Sequence, residues 1–435
     1  MSEIWLTYNG KVITHNAKIL TKPELIPPPT TPMTLRFQFT DTSYVPTVGS
    51  SGSTATKGSW TAYDASNGIW DWTYTGTDWT SVFNLYGSRI GTNNKVALLS
   101  ASDTSTVVNM YRLFEGCENL TAVSWFDTSS VTMMSEMFRG CFSLESVPLF
   151  DTSHVTGMSD MFLACMNLTT VPLFDTSSVT DMSFMFVGCK NLTTVPLFDT
   201  SSVTNMRQMF DGCSSLVSVP DFNTSSVIRM DYMFQNCTSL ASISFSNMNM
   251  VNKTDYMFSG CTSLASVQLS NTNSLSSVQY MFQNCSSLTS VSLFNTSLVT
   301  DMTGMFTHCR SLATVPLFDT SSVTHMNSMF EYCSSLLSVP LFDTRSVVNM
   351  FETFWECRSL ASIPLFDTSS MVAMFGTFSR CVNVQSGALA LYQQVSSQAN
   401  PPSSHSGCFY ICGSNTVTGA AELAQIPADW GGTMS

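Results

Sequence analysis

Charged residues are scarce in this sequence. Asp, Glu, Lys and Arg make up 11% of its 435 residues, and 17 Lys and Arg face 30 Asp and Glu. The net charge of −13 argues against nucleic acid or an anionic membrane surface as a partner, since both select for cations. No apolar run approaches the roughly 18 residues of a membrane span, so we expect no membrane insertion. Met1 to Lys18 lack a long apolar stretch, and we expect no signal peptide there.

Residues for catalysis or metal binding are equally sparse. The histidines show no ligand spacing: His15, His154, His308, His325 and His405. No Ser-His-Asp, Cys-His, paired-carboxylate or phosphate-loop arrangement stands out. We therefore expect a protein that is not an enzyme and that needs no cofactor or metal.

A 24-residue repeat dominates the chain. Its clearest form runs from Leu173 to Pro196, and twelve of the 14 cysteines recur with the same spacing. Phe stands three residues before each of these cysteines, and Leu three residues after all but the last, where Val384 replaces it. Such a period predicts a solenoid. The ladder cysteines are Cys117, Cys141, Cys165, Cys189, Cys213, Cys237, Cys261, Cys285, Cys309, Cys333, Cys357 and Cys381.

Each repeat is interpreted as one coil with a short helix and a short strand. Asp199 to Ser202 would cap the helix, and the spacing of Val203, Met206, Phe210 and Cys213 would place them on its inner face. Gly212, like its equivalents and Asn236 and Asn284, would end the helix in a left-handed cap.

The second half of each repeat predicts an extended segment. Leu216, Val219 and Leu197, with its equivalents Leu317 and Leu341, are expected to face the interior. Strands of neighbouring coils would then pair in parallel. The predicted fold class is an α/β solenoid, similar to leucine-rich repeats, with about twelve coils.

Two ladders of side chains allow alternative chemistry. The stacked cysteines could be free apolar thiols or disulfides, since neighbouring coils lie within disulfide range. Cys408 and Cys412, outside the ladder, could form a local pair. The recurring carboxylates suggest either calcium binding or capping of a turn; Asn223, Asn247, Asn271 and Asn295 in the middle favour capping.

The repeats resemble those of BspA-type leucine-rich repeat proteins, whose units read much like DTSSVTxMxxMFxxCxxLxxV. The resemblance covers about Asp103 to Val384. It implies a leucine-rich solenoid used for adhesion or protein recognition, without catalysis. Similar repeats also occur in proteins of phages that infect gut bacteria, so the resemblance extends to a virion context.

The remaining sequence suggests attachment and capping parts. Alternating residues around Asn9-Gly10 predict a hairpin, which could be an attachment arm or fold back onto the next sheet. Trp60, Trp70, Trp72, Tyr74 and Trp79 could form the core of a small domain or stack on sugars. The predicted parts are 1–22 (hairpin and arm), 23–32 (proline-rich linker), 33–100 (β-rich capping domain), 101–387 (solenoid) and 388–435 (C-terminal cap, with helices at 388–398 and 420–424 and a strand at 409–411).

The candidate ligand-binding face is a run of aromatic residues. Tyr232, Tyr256 and Tyr280 recur five residues before three consecutive ladder cysteines, and Arg229 and Lys253 each lie three residues before one of them. They could form an aromatic strip edged by cations, or simply pack as a row of long side chains.

The resemblance to phage proteins with such repeats implies a non-enzymatic phage virion protein, a head or tail fibre or decoration protein. It would attach to other virion proteins through its N-terminus and present the solenoid to a host surface protein or glycan. The alternative is a BspA-like adhesin of the bacterial cell surface, exported by another route. Slender fibres are often symmetric, so a homo-oligomer is possible in either setting.

Overall fold

The computed structural model describes residues 6–8, 11–13, 33–40, 42–43, 46, 59–74, 96–101 and 104–433. The chain divides into two compact units, Met1–Thr31 and Pro32–Ser435. In the first, β1 (Leu6–Tyr8) pairs antiparallel with β2 (Lys11–Ile13), with Tyr8 opposite Lys11. The hairpin predicted around Asn9-Gly10 is thus present, while the proline-rich segment 23–32 lies outside the described residues.

The second unit begins with a five-stranded sheet. Its strands are β3 (Met33–Phe39), β4 (Ser59–Asp64), β5 (Ile69–Tyr74), β6 (Val96–Ala101) and β7 (Leu120–Val123), in the order β4-β5-β3-β6-β7. All neighbours are antiparallel except β6 and β7, which are parallel. Because β7 already belongs to the first coil, the sheet is continuous with the solenoid.

The core of this sheet follows the alternation of its strands. Leu35, Phe37 and Phe39 alternate with polar residues along β3 and are fully buried, as is Trp72 on β5. Trp72 is therefore a core residue, whereas Trp79 lies outside the described residues.

Twelve coils of 24 residues follow, stacked in parallel, which confirms the predicted repeat solenoid. Parallel bridges join equivalent residues of successive coils, for example Asn205 with Arg229 and Arg229 with Lys253. Continuous pairing within the described coils is longest in β8 (Ser242–Phe245) and β9 (Ser266–Leu269), which are parallel and in register. Elsewhere the parallel pairing is reduced mainly to single bridges.

The prediction of a short helix in each coil is wrong. Consecutive tight turns occupy that stretch, in which alternate backbone N–H groups have different partners. Phe210 N donates to Met233 O of the next coil at 2.9 Å, whereas Cys213 N donates to Phe210 O of its own coil at 3.0 Å. Sharing donors between two coils in this way is incompatible with an α-helix, which uses them all internally.

Apolar ladders fill the interior. The Phe rings from Phe114 to Phe378 form a continuous stack, with neighbouring centroids 5.1–5.7 Å apart. All 14 cysteines are buried and free. From Cys141 to Cys381 each ladder thiol donates to the Phe carbonyl of the preceding coil, as Cys213 does to Phe186 O at 3.0 Å. Burial raises the pKa of the Cys213 thiol well above its ordinary value, so it stays protonated.

The Asp-Thr pair of each repeat has two structural tasks. The buried Thr176 hydroxyl donates to Asp199 O of the next coil at 2.8 Å. The Asp175 carboxylate accepts the Ser177 N–H at 3.1 Å, and Asn223 accepts the Ser225 N–H at the same distance. Asp and Asn therefore cap the same turn, which explains why they interchange along the ladder.

The proline of each Pro-Leu-Phe segment begins a turn that exposes a leucine predicted to face the interior. In the Pro-Leu-Phe segments, Phe198 N donates to Pro196 O at 3.0 Å, so Leu197 lies at the apex of a three-residue turn. Phe198 is buried, whereas Leu197 is 60% exposed and Leu317 and Leu341 are similarly exposed. The prediction that these leucines face the interior is wrong. The turn makes the next residue, the Phe, the one that points inward.

The C-terminal region continues the stack. Phe409 and Cys412 repeat the Phe-Cys spacing 31 residues after Phe378 and Cys381. The Phe409 ring stacks on Phe378 at 5.9 Å, and Phe378 N donates to Cys408 O at 2.8 Å. Residues 409–411, predicted as a strand, form turns of a thirteenth coil. The residues that make this coil longer than 24 include helix α1 (Ala388–Ser396). Helix α2 (Val417–Leu423) follows the coil.

Candidate binding surface

Two positions of every coil adopt the left-handed backbone conformation. The one just before the cysteine is usually Gly or Asn, as predicted for Gly212. The one five residues before the cysteine carries a large side chain in most coils, although L-residues are strained there. Its occupants are Arg112, Glu136, Asp160, Phe184, Gln208, Tyr232, Tyr256, Tyr280, Gly304, Ser328, Glu352 and Gly376.

The structure brings the three predicted tyrosines together as a stacked column. The ring centroids of Tyr232 and Tyr256 are 4.9 Å apart at 5°, and those of Tyr256 and Tyr280 are 4.8 Å apart at 16°. All three are half-buried. Burial, with the neighbouring Tyr280 and Tyr232, raises the pKa of Tyr256, so its hydroxyl stays protonated and can donate.

Both ends of the tyrosine column are closed. A Cβ built on Gly304 would lie 2.2 Å from the Tyr280 ring, so only glycine leaves room for that ring. At the other end the Arg207 guanidinium lies 5.8 Å from the Tyr232 centroid and 5.6 Å from that of Phe184. Ring faces are consequently covered, and the column offers edges and hydroxyls outward.

The cations beside the column differ in whether a carboxylate neutralises them. Arg229 makes two hydrogen bonds to Asp231, at 3.0 and 2.9 Å, and Arg207 Nε lies 3.0 Å from the same carboxylate. Lys253 is exposed and forms no ion pair within the described part of the chain. Of the two cations predicted to edge the strip, Arg229 is therefore neutralised by Asp231, whereas Lys253 is available.

Sequence reasoning missed Arg207 and Asp231. Asp231 is buried at 3% exposure, where a carboxylate needs charged partners. Its neighbours Arg207 and Arg229 lie in two different coils. The available signal was their position: Arg207 and Asp231 are equivalent residues of consecutive repeats, so a coil stack places them side by side.

A protein-family profile described as "Mycoplasma protein of unknown function, DUF285" matches residues 80–194, 164–274 and 276–390. These stretches include nearly the whole solenoid. The chain belongs to this family. Comparison with curated protein sequences finds no match.

Solved structures similar to this DUF285 protein include bacterial leucine-rich repeat proteins. That of Bacteroides ovatus is 21% identical over 64% of this chain and 75% of its own, with a TM-score of 0.42. A leucine-rich cell surface protein of Faecalibacterium prausnitzii is 22% identical over 61% and 89%, at 0.34. A leucine-rich repeat protein of Eubacterium ventriosum is 15% identical over 73% and 90%, at 0.38.

A recess of this DUF285 solenoid, separate from the tyrosine column, was not evident from the sequence. It measures about 290 Å³ and is lined by Arg310, Tyr332, Ser334, Glu356 and Arg358. Tyr332 stacks on His308 at 4.6 Å, and the buried Glu356 pairs with Arg358 and with Arg380, the latter at 3.1 Å. Because its buried carboxylate already has two partners, this recess is a weaker candidate than the tyrosine column.

Within the described segments, no three His, Cys, Asp or Glu side chains converge as a metal site. Neither α1 nor α2 is long and apolar enough to cross a membrane.

Proposed function

We propose that this DUF285 protein is a non-enzymatic recognition solenoid that binds a protein on a bacterial surface through the tyrosine column. The observation that carries this proposal is the stack of three consecutive tyrosines at left-handed positions, which hold varied side chains or glycine in the other coils. Strained residues persist where the surroundings or a function require them. Tyrosine is also among the residues that contribute most to protein interfaces.

The geometry favours a protein ligand over a stacked sugar. Sugars bind aromatic residues by covering a ring face, and here the faces of Tyr256 are occupied by Tyr232 and Tyr280. Outward edges and hydroxyl donors, with the available ammonium group of Lys253 nearby, suit backbone carbonyls and carboxylates of a protein.

Binding to intact bacterial cells tests the proposal. The probe is the labelled full chain, and the variant replaces Tyr232, Tyr256 and Tyr280 together with glycine, which the backbone accepts. We expect at least a tenfold loss of binding, whereas the exposed Tyr410→Ala control should bind as the wild type does. Protease treatment of the cells should abolish binding and periodate oxidation should not. Unchanged binding of the triple variant would refute the role of the column.

The setting we propose is a virion, with the hairpin unit Met1–Thr31 as the attachment arm. The alternative, an adhesin of the bacterial cell surface, uses the same binding face. Mass spectrometry of purified phage particles and of cell-envelope fractions separates the two. Detection in particles supports the virion, and detection in envelopes alone supports the adhesin.

A further inference from the structure

A line of apolar side chains faces solvent on a different side of each coil. Trp125 and seven leucines, each eight residues after a ladder cysteine, are 55–63% exposed. They form what we call the leucine stripe: Trp125, Leu149, Leu173, Leu197, Leu293, Leu317, Leu341 and Leu365. The stripe lies about half a coil from the tyrosine column along the chain, so it is separate from the proposed ligand face.

For five members of the stripe the exposure is built into the backbone. The Pro-Leu-Phe turn, seen at Pro172, Pro196, Pro316, Pro340 and Pro364, buries the Phe and leaves the Leu at the apex. Three coils interrupt the stripe and divide it into two runs. In these coils Asp221 replaces the leucine, and Phe245 and Leu269 are buried.

The exposed apolar area matches an interface with another protein. Roughly 100 Å² for each side chain gives two runs of about 400 Å², or about 800 Å² in all. Each run is about as large as the largest apolar patch of a typical monomer, and such patches are often functional. A standard interface buries about 800 Å² on each partner, so one similar stripe from another molecule would be sufficient.

The side chains on either side of the stripe are complementary to each other. On one side lie the exposed carboxylates of Asp151, Asp175, Asp199, Asp319 and Asp367. On the other side lie the exposed hydroxyls of Ser146, Thr170, Thr194, Thr314 and Ser338. A hydroxyl can donate to a carboxylate, whereas facing carboxylates repel.

We propose that a second copy of this chain docks on the leucine stripe, parallel and in register, about a two-fold axis along the solenoid. That axis places each carboxylate ladder opposite the partner's hydroxyl ladder. The runs of the stripe are symmetric about Phe245, so an antiparallel pair would also match leucines. It would, however, bring the carboxylate ladders of the two copies together.

Solution mass tests whether the stripe joins two copies. Light scattering after size-exclusion chromatography should give the dimer mass for the full chain. Leu173→Ser with Leu317→Ser should raise the dissociation constant at least tenfold and give monomer. The control, Val108→Ser with Val372→Ser, changes residues of similar exposure outside the stripe and should stay dimeric. A monomeric wild type at every accessible concentration would overturn the proposal.

Cysteine cross-linking tests the orientation. In a parallel, in-register dimer the residue at 173 faces itself, so Leu173→Cys alone should form an intermolecular disulfide under mild oxidation. The native thiols are buried and should not compete. If cross-links form only when Leu173→Cys and Leu317→Cys chains are mixed, the dimer is antiparallel and the proposed register is wrong.

Discussion

Two kinds of coil share one repeat and present different surfaces. Proline coils contain Pro-Leu-Phe, and their turn directs leucine to solvent and Phe to the core. Strand coils, those of Cys237 and Cys261, have Ser244 and Gln268 where the proline would be, and they form β8 and β9. In them Phe245 and Leu269 occupy the leucine position and are buried. Proline thus favours display of the leucine over pairing with the next coil, although Leu293, which follows Ser292, is exposed without it.

The left-handed position differs between these coils as well. Proline coils carry Glu136, Asp160 or Phe184 there, whereas both strand coils carry tyrosine. The stacked core is the same in both kinds, with Phe and Cys ladders passing through without a break. Surface properties can therefore change from coil to coil while the interior remains constant, which is how a repeat protein acquires a local binding face.

The largest expected effect comes from making a strand coil resemble a proline coil. Ser244→Pro removes an N–H from β8 and favours the turn that would expose the buried Phe245. We expect a loss of about 3 kcal/mol or more in the free energy of unfolding, measured with guanidinium chloride. The reverse change, Pro196→Ser, should cost only about 1 kcal/mol, because the turn remains possible without the fixed φ. Equal losses would show that proline does not distinguish the two kinds of coil.

The sequence was informative wherever spacing alone decides the outcome. The columns of Val203, Met206, Phe210 and Cys213 are fully buried as predicted, and Gly212 has the predicted positive φ. The three tyrosines align because the period is constant. The spacing could not distinguish a helix from consecutive turns, since both bring every third or fourth residue inward; hydrogen bonding to the next coil decides between them.

Other features depended on single residues. Leu197 has the sequence neighbours of an inward strand residue, but Pro196 lacks an N–H and starts the turn that exposes it. The thirteenth coil is hidden by an insertion that contains α1, although the Phe409 and Cys412 spacing was its signal. The ion pairs of Asp231 with Arg207 and Arg229 could not be predicted until the coils were stacked in register, which places residues 24 positions apart side by side.

A smaller effect is expected from pH at the left-handed position of a proline coil. Burial, with the nearby Glu136, raises the pKa of Asp160 from 3.8 to about 6. The folded state then holds this proton more tightly than the unfolded state, so the contribution favours folding below about pH 4 and is lost as pH rises through 6. Asp160→Asn should therefore gain thermal stability relative to the wild type between pH 4 and 7.

Asp175→Asn is the matched control for pH. The Ser177 hydroxyl and N–H lower the pKa of Asp175, so its contribution is present near neutral pH and is lost as pH falls. As pH rises, the melting temperature of Asp160→Asn should increase relative to the wild type, whereas that of Asp175→Asn should decrease relative to it. The same direction for both would contradict the assigned environments.

The smallest expected effect tests the tyrosine position of a strand coil. Tyr256→Gly loses two ring contacts of about 1 kcal/mol each but relieves the left-handed strain, so stability should change by about 1 kcal/mol or less. Tyr256→Ala loses the same contacts and keeps the strain. The glycine variant should therefore be more stable than the alanine variant by about 0.5–1 kcal/mol, the reverse of their usual order in helices and strands. If thermal unfolding shows alanine to be the more stable, strain at Tyr256 is negligible, and its retention there would no longer support a binding role.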